Sequence, residues 1–211
     1  MKTSFCFVSV IFLLTALNCF SQSTDELQKK YTVINRTISA GADPGSVHLN
    51  EKEGVGIAWI NSEKFTNGVI KVDIKGKDQL QASFVGIAFH GVNDSTYECI
   101  YFRPFNFRAT DAVRKTHAVQ YIAPPKFDWP KLRNEFPLKY EQPISPPPDP
   151  NEWFHARITV ESKSIKVYVN GSATPSLVVE PLMHTDGTMI GLWAGGTDGD
   201  WKNLKITPVK K

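Results

Sequence analysis

The residues best suited to chemistry fall between Tyr97 and Tyr121, in YECIYFRPFNFRATDAVRKTHAVQY, where phenol rings, guanidinium groups and an imidazole lie close together. Within TYECIYFR, alternation sets Tyr97, Cys99, Tyr101 and Arg103 on one face and Glu98, Ile100 and Phe102 on the other, the two-residue period of a sheet strand. In HAVQY the same period puts His117, Val119 and Tyr121 together. Planar donors beside flat rings imply a polar, ring-shaped ligand. Arg103 can fork onto neighbouring hydroxyls or a carboxylate, or stack on a ring to cover the sheet edge. His117 and His90 can serve as acid or base groups or as ligand-binding partners of sugar hydroxyls, or sit as half-buried imidazoles bonded to carbonyls. Tyr101, Arg108, Gln120, Tyr121, Trp129 and Tyr140 complete the candidate ligand contacts, and His117, Glu98 and Glu141 are the candidates for proton transfer.

Such residues need a frame. Ile70, Val72 and Ile74 alternate with Lys71, Asp73 and Lys75, the pattern of a strand with one solvated face. FVGIAFHG places Val85, Ile87 and Phe89 inward, with Phe84, Ala88 and His90 opposite. WFHARITVES and SIKVYVNG form a hairpin that points Ile158, Val160, Val167 and Val169 to the same interior. Many short strands at this spacing predict an all-β fold, a two-sheet antiparallel sandwich. Trp153, Trp193 and Trp201 each abut a strand and are expected in the core or at a sheet edge.

Residues 122–152 break the rhythm. Nine of the fourteen prolines lie here, so no regular ladder is expected to run through it, and only DWPKLRNEF is expected to make a helical turn. Phe127, Trp129, Phe136 and Tyr140 argue for an ordered, packed loop beside the Tyr97–Tyr121 strands, with Trp129 either a platform for a ring or a peg that fixes the loop.

Residues 1–21 hold one lysine, an apolar run and small residues before the expected cleavage point, which predicts a secretory signal peptide and an exported protein, periplasmic or secreted. Residues 22–32 read as a polar tether and 33–208 as one domain. Removing Lys2 from the 24 basic residues leaves 23 against 21 acidic, a balance that gives no reason to expect nucleic acid or an anionic membrane as partner. Cys99 alone remains after the leader, so the domain relies on its core. A chain of roughly 190 residues buries about 70% of its unfolded surface, which suffices.

The run WFHARITVES, SIKVYVNG, GLWAGG and DGDWKNLKI resembles the C-terminal half of concanavalin A-like lectin/glucanase domains, most of all the bacterial 3-keto-disaccharide hydrolase and laminin-G-like members. The resemblance spans about Val33 to Ile206. It implies a jelly roll whose concave face or edge binds carbohydrate. The Glu-x-Asp-x-x-Glu strand of laminarinase-type members is absent, so the paired carboxyls of ordinary glycoside hydrolysis are not set on one strand. Asp198, Gly199 and Asp200 read either as calcium ligands or as a hairpin turn, the turn being the simpler reading. No phosphate loop, zinc ligand set or serine triad is present, and no cofactor is expected. Three functions stay open: a carbohydrate-binding domain, a glycoside hydrolase of the 3-keto-disaccharide type, and a structural domain of the cell envelope.

Overall fold

A computed structural model describes residues 24–183 and 186–209; the expected leader, residues 1–21, lies outside them. In chain order the elements are α1 (Thr24–Lys30), β1 (Tyr31–Ile34), β2 (Ile38–Ala40), β3 (Val47–Leu49), β4 (Val55–Ile60), β5 (Gly68–Lys75), β6 (Ser83–Asn93) and β7 (Thr96–Phe102). Then follow α2 (Pro104–Phe107), α3 (Ala112–Lys115), β8 (Val119–Ile122), α4 (Trp129–Glu135), β9 (Glu141–Gln142), β10 (Phe154–Glu161), β11 (Ser164–Val169), β12 (Leu177–Val179), β13 (Met189–Gly196) and β14 (Gly199–Pro208).

Two antiparallel sheets face each other, in the orders β1-β4-β13-β6-β7-β8-β9 and β12-β11-β10-β5-β14-β3-β2. The predicted interior residues Ile70, Val72, Ile74, Val85, Ile87, Phe89, Ile158, Val160, Val167 and Val169 are all buried. Each such side chain contributes roughly 1.5–3 kcal/mol on leaving water. Phe102 and Phe154 meet edge to face across the gap, ring centres 4.8 Å apart, and Trp201 Nε1 donates to Gly86 O at 3.1 Å, tying one sheet to the other. The strands at the four sheet edges are short, two to four residues, against eight to eleven for β5, β6 and β10.

The second sheet follows simple alternation, because its outer face is wet. The first sheet does not, because both of its faces are covered: β7 is buried from Tyr97 onward, and β8 throughout. The register settles which face is which. Leu192, Ile87, Ile100 and Tyr121 lie opposite one another on the core face. Trp193, Gly86, Tyr101, Gln120 and Glu141 form the matching row on the outer face.

Two expectations are revised by local structure. The stretch read as a tether contains α1, which seats Leu27 in the core, and β1 starts at Tyr31. The proline-rich segment does carry a ladder: β9 pairs with β8 through Gln120 and Glu141. The helical turn expected there is α4, where Asp128 accepts from Lys131 N at 3.0 Å as N-cap and Pro130 sits in the first turn, which needs no amide donor. Leu132, Tyr140 and Ile144 anchor the segment in the core. Among the described residues no helix is long and apolar enough to cross a membrane.

Candidate functional site

The outer-face row ends at Glu141, and the side chains that matter gather around it. Arg133, delivered by α4, grips its carboxylate with Nε at 2.8 Å and Nη2 at 2.6 Å. His117 Nδ1 lies 2.9 Å from Oε2, and Arg103 Nη1 lies 3.7 Å away. Glu141 is 1% exposed, so its charge is held by the two guanidinium groups and the imidazole and not by water.

Arg103 follows β7, and its guanidinium is almost fully used. Nη1 donates to His117 O at 3.0 Å, and Nη2 donates to Tyr101 OH at 2.6 Å and also to Gln120 Oε1. Tyr101 OH donates to the same Gln120 oxygen at 3.0 Å. Burial pushes the Tyr101 hydroxyl pKa well up, so it stays a donor. Arg103 thus fixes the carbonyl of the residue whose ring faces Glu141.

His117 stands at the mouth. With Nδ1 turned to Glu141, Nε2 on the opposite edge has no protein hydrogen-bond partner among the described residues. Burial lowers its pKa below the usual histidine value; Glu141 opposes that shift, and Arg133 and Arg103 add to it. The ring is therefore neutral near pH 7, with its Nδ1 proton on Glu141 and a lone pair at Nε2. In front lies a cavity of about 500 Å³ lined by Phe84, Arg103, Phe105, Asn106, Arg114, His117, Trp129, Arg133, Leu80 and Gln81. Arg114 is steered into it by Asn106 Oδ1 at 3.2 Å and Phe105 O at 2.7 Å, and among the described residues its guanidinium has no carboxylate in hydrogen-bond or ion-pair contact. A neutral base beside guanidinium groups suits removal of a proton from a carbon whose neighbouring oxygen gains negative charge.

Residues 23–207 match the family model described as the 3-keto-alpha-glucoside-1,2-lyase-like domain. The chain belongs to that family. No curated protein sequence matches it. Among solved structures, the carbohydrate binding module CBM66 from Bacillus subtilis is similar with TM-score 0.59 and 15% identity, covering 83% of this chain and 93% of that one. A putative glycosyl hydrolase from Parabacteroides distasonis gives 0.56 and 11%, covering 86% and 89%. A beta-1,3-glucanase from Mycobacterium marinum gives 0.50 and 11%, covering 84% and 91%. At these identities the likeness is one of fold, a jelly roll of the lectin and glucanase kind.

In this 3-keto-alpha-glucoside-1,2-lyase-like domain the expected site residues divide into two groups. Arg103, His117 and Trp129 line the cavity, with Tyr101, Gln120 and Glu141 packed behind or beside them. Tyr121, Glu98 and His90 do not join them. Val119 and Tyr121 face the core, and His117 escapes their face because the strand begins only at Val119. Tyr121 OH donates to Glu98, also on the core face, whose other oxygen meets His90 Nδ1. His90 departs from its predicted face because a bulge interrupts the β6–β7 register and its φ is +51°. Tyr140 packs on Tyr121 and Phe136, with ring centres 5.7 and 5.8 Å away, and Arg108 makes a surface pair with Asp149 at 2.8 Å. Asp198 and Asp200 are engaged by Lys77 at 2.5 Å and His48 at 3.0 Å, and among the described residues no group of three or more acidic, histidine or cysteine side chains converges to hold a metal.

Sequence reading missed Arg133, Arg114 and Trp193 as site groups. Arg133 had a usable signal, lying one turn beyond Trp129 in the helix expected at DWPKLRNEF. Trp193, expected in the core or at an edge, is buried on the outer face and stacks on Tyr101, with centres 5.0 Å apart.

Proposed function

We propose that the domain is a carbohydrate-active lyase that cleaves 3-keto glycosides by elimination. The observation that carries this reading is the His117 ring held edge-on by Glu141, its Nε2 left without a protein partner. A carbonyl at C3 of a sugar acidifies the hydrogen on C2. His117 Nε2 takes that proton, the electron pair moves toward the C3 oxygen, and Arg133 and Arg114 stabilise the resulting enolate. The pair then returns to form the C1–C2 double bond as the C1–O bond breaks, the aglycone leaves as an alcohol after taking a proton from solvent, and His117 returns to solvent the proton it took from C2. The chemistry needs no pair of carboxyls, which agrees with the absence of the laminarinase-type strand. The reading includes export, from the leading apolar run, and a glycan as ligand.

The family's description names this class of reaction, and the site supplies a base, an orienting carboxylate and enolate-stabilising cations. Incubation with an alkyl 3-keto-α-glucoside and with the parent glucoside tests it. Elimination yields an enone lighter by one water than the hydrolysis product, from the ketone alone. Equal release from both glucosides, or a hydrated sugar product, overturns the reading. A second reading, binding without chemistry, is favoured by Trp129, 47% exposed in the lining of the cavity before His117, as a platform for a sugar ring; glycan binding with no product from the 3-keto substrate is its signature.

A further inference from the structure

Beside the cavity in front of His117 lies a second cleft of about 350 Å³ on the same outer face. The two share Phe84 and Trp129 as a common wall, so they adjoin. The floor of the second cleft is the stacked pair Trp193 and Tyr101, and Val55, 43% exposed, stands at its rim. Gly195 keeps the floor open: a Cβ there would come within 3.2 Å of the Trp193 ring.

The polar atoms of this cleft are already engaged. Trp193 Nε1 donates to Tyr97 OH at 3.1 Å. Tyr101 OH donates to Gln120 and accepts from Arg103. The backbone at Gly196 is bonded to Gly54 O and Lys52 N. What remains on the side chains is the Tyr97 hydroxyl proton, the Trp129 indole N–H and the Asp128 carboxylate oxygen that does not cap α4. A sugar ring would bring several hydroxyls into contact with apolar surface, each costing about 1–3 kcal/mol if left without a partner. A flat aromatic ring, bare or with one hydroxyl, loses nothing and gains contact with indole and phenol faces.

We infer that this cleft is a subsite for a planar aromatic aglycone, so that aryl glycosides are the preferred substrates of the site proposed above. The inference rests on that reading only for placing the sugar in front of His117. The sugar occupies the cavity with the arginines, the glycosidic oxygen passes the Phe84–Trp129 wall, and the ring lies against Trp193.

The test separates binding from turnover. Calorimetric titration compares phenyl α-glucoside with methyl α-glucoside, neither of which can eliminate; turnover compares their 3-keto forms. The phenyl compound is expected to bind at least roughly tenfold more tightly. In Val55→Trp, where the new side chain fills the rim, and in Trp129→Ala, where the wall is lost, that ratio should fall toward one. Both positions are exposed, so either variant folds. Equal affinities in the wild type, or an aryl advantage that survives both substitutions, overturn the subsite. Tight phenyl binding without turnover of either ketone supports the subsite and overturns the elimination. Turnover of both ketones with equal KM does the reverse.

Discussion

Nδ1 of His117 lies 2.9 Å from Oε2 of Glu141, and Arg133 grips both oxygens of the same carboxylate. The imidazole is thereby fixed in tautomer and direction, while burial, with the arginines adding to it, keeps it from gaining a proton.

Activity should therefore follow the neutral form of His117. Its pKa is lowered, so the acid limb of the pH–rate profile should fall below the ordinary 6.5, with activity lost as pH drops through it. His117→Gln should cost on the order of a hundred-fold or more in kcat. Glu141→Gln removes the partner that raises the pKa, so the limb should move further down. A limb at or above 6.5 in the wild type, measured by stopped assays across pH, counts against His117 as base.

Arg103 should matter to stability as much as to function. Its buried guanidinium ties together Tyr101, Gln120 and the His117 carbonyl. Arg103→Ala strands those groups and takes one cation from Glu141, at a cost of roughly 3–5 kcal/mol. Urea denaturation reads this directly; an unchanged midpoint would show that the network relaxes without it.

The cluster of His90, Glu98 and Tyr121 should make the fold sensitive to alkali. Burial lowers the His90 pKa, but its bonds to Glu98 and the Thr66 carbonyl, with the Glu98 charge, outweigh that and raise it. A folded pKa above the unfolded value means the contribution is complete below about 6.5 and fades as pH rises through the folded value. Unfolding free energy should decline over that range in the wild type and not in His90→Gln. Parallel curves for the two proteins would remove His90 as the cause.

Asp128→Ala should act at a distance. The cap it removes is worth about 0.5–2 kcal/mol to the start of α4, the helix that carries Trp129 and Arg133. Both kcat and KM should suffer, since the helix positions the Arg133 cation that stabilises the enolate as well as the Trp129 wall. An unchanged kcat, seen in full kinetic curves, would contradict that role for Arg133.

Strands with one wet face were readable from alternation alone, as Ile70, Val72 and Ile74 or Val167 and Val169 show. The first sheet was not, because side chains on both of its faces are buried and period two no longer distinguishes them. Tyr101 and Arg103 were grouped correctly, yet Gln120 and Tyr121 are neighbours on opposite faces, and only the pairing of Tyr101 with Gln120 says which belongs to the site. His90 was turned by a bulge that no local pattern announces. Glu141 was a candidate by type, but its position depends on a two-residue strand inside a proline-rich run. The site is thus assembled by register, which residue types do not encode one strand at a time.

The brevity of the four outermost strands has its own consequence. An open sheet edge is a row of unpaired amide and carbonyl groups, able to template the addition of another chain. Here β9 offers two residues, β2 and β12 three each, and β1 four. None is long enough to seed a continuous ladder between molecules, so the sandwich should resist fibril growth and stay dispersed at concentrations where long-edged sheets polymerise.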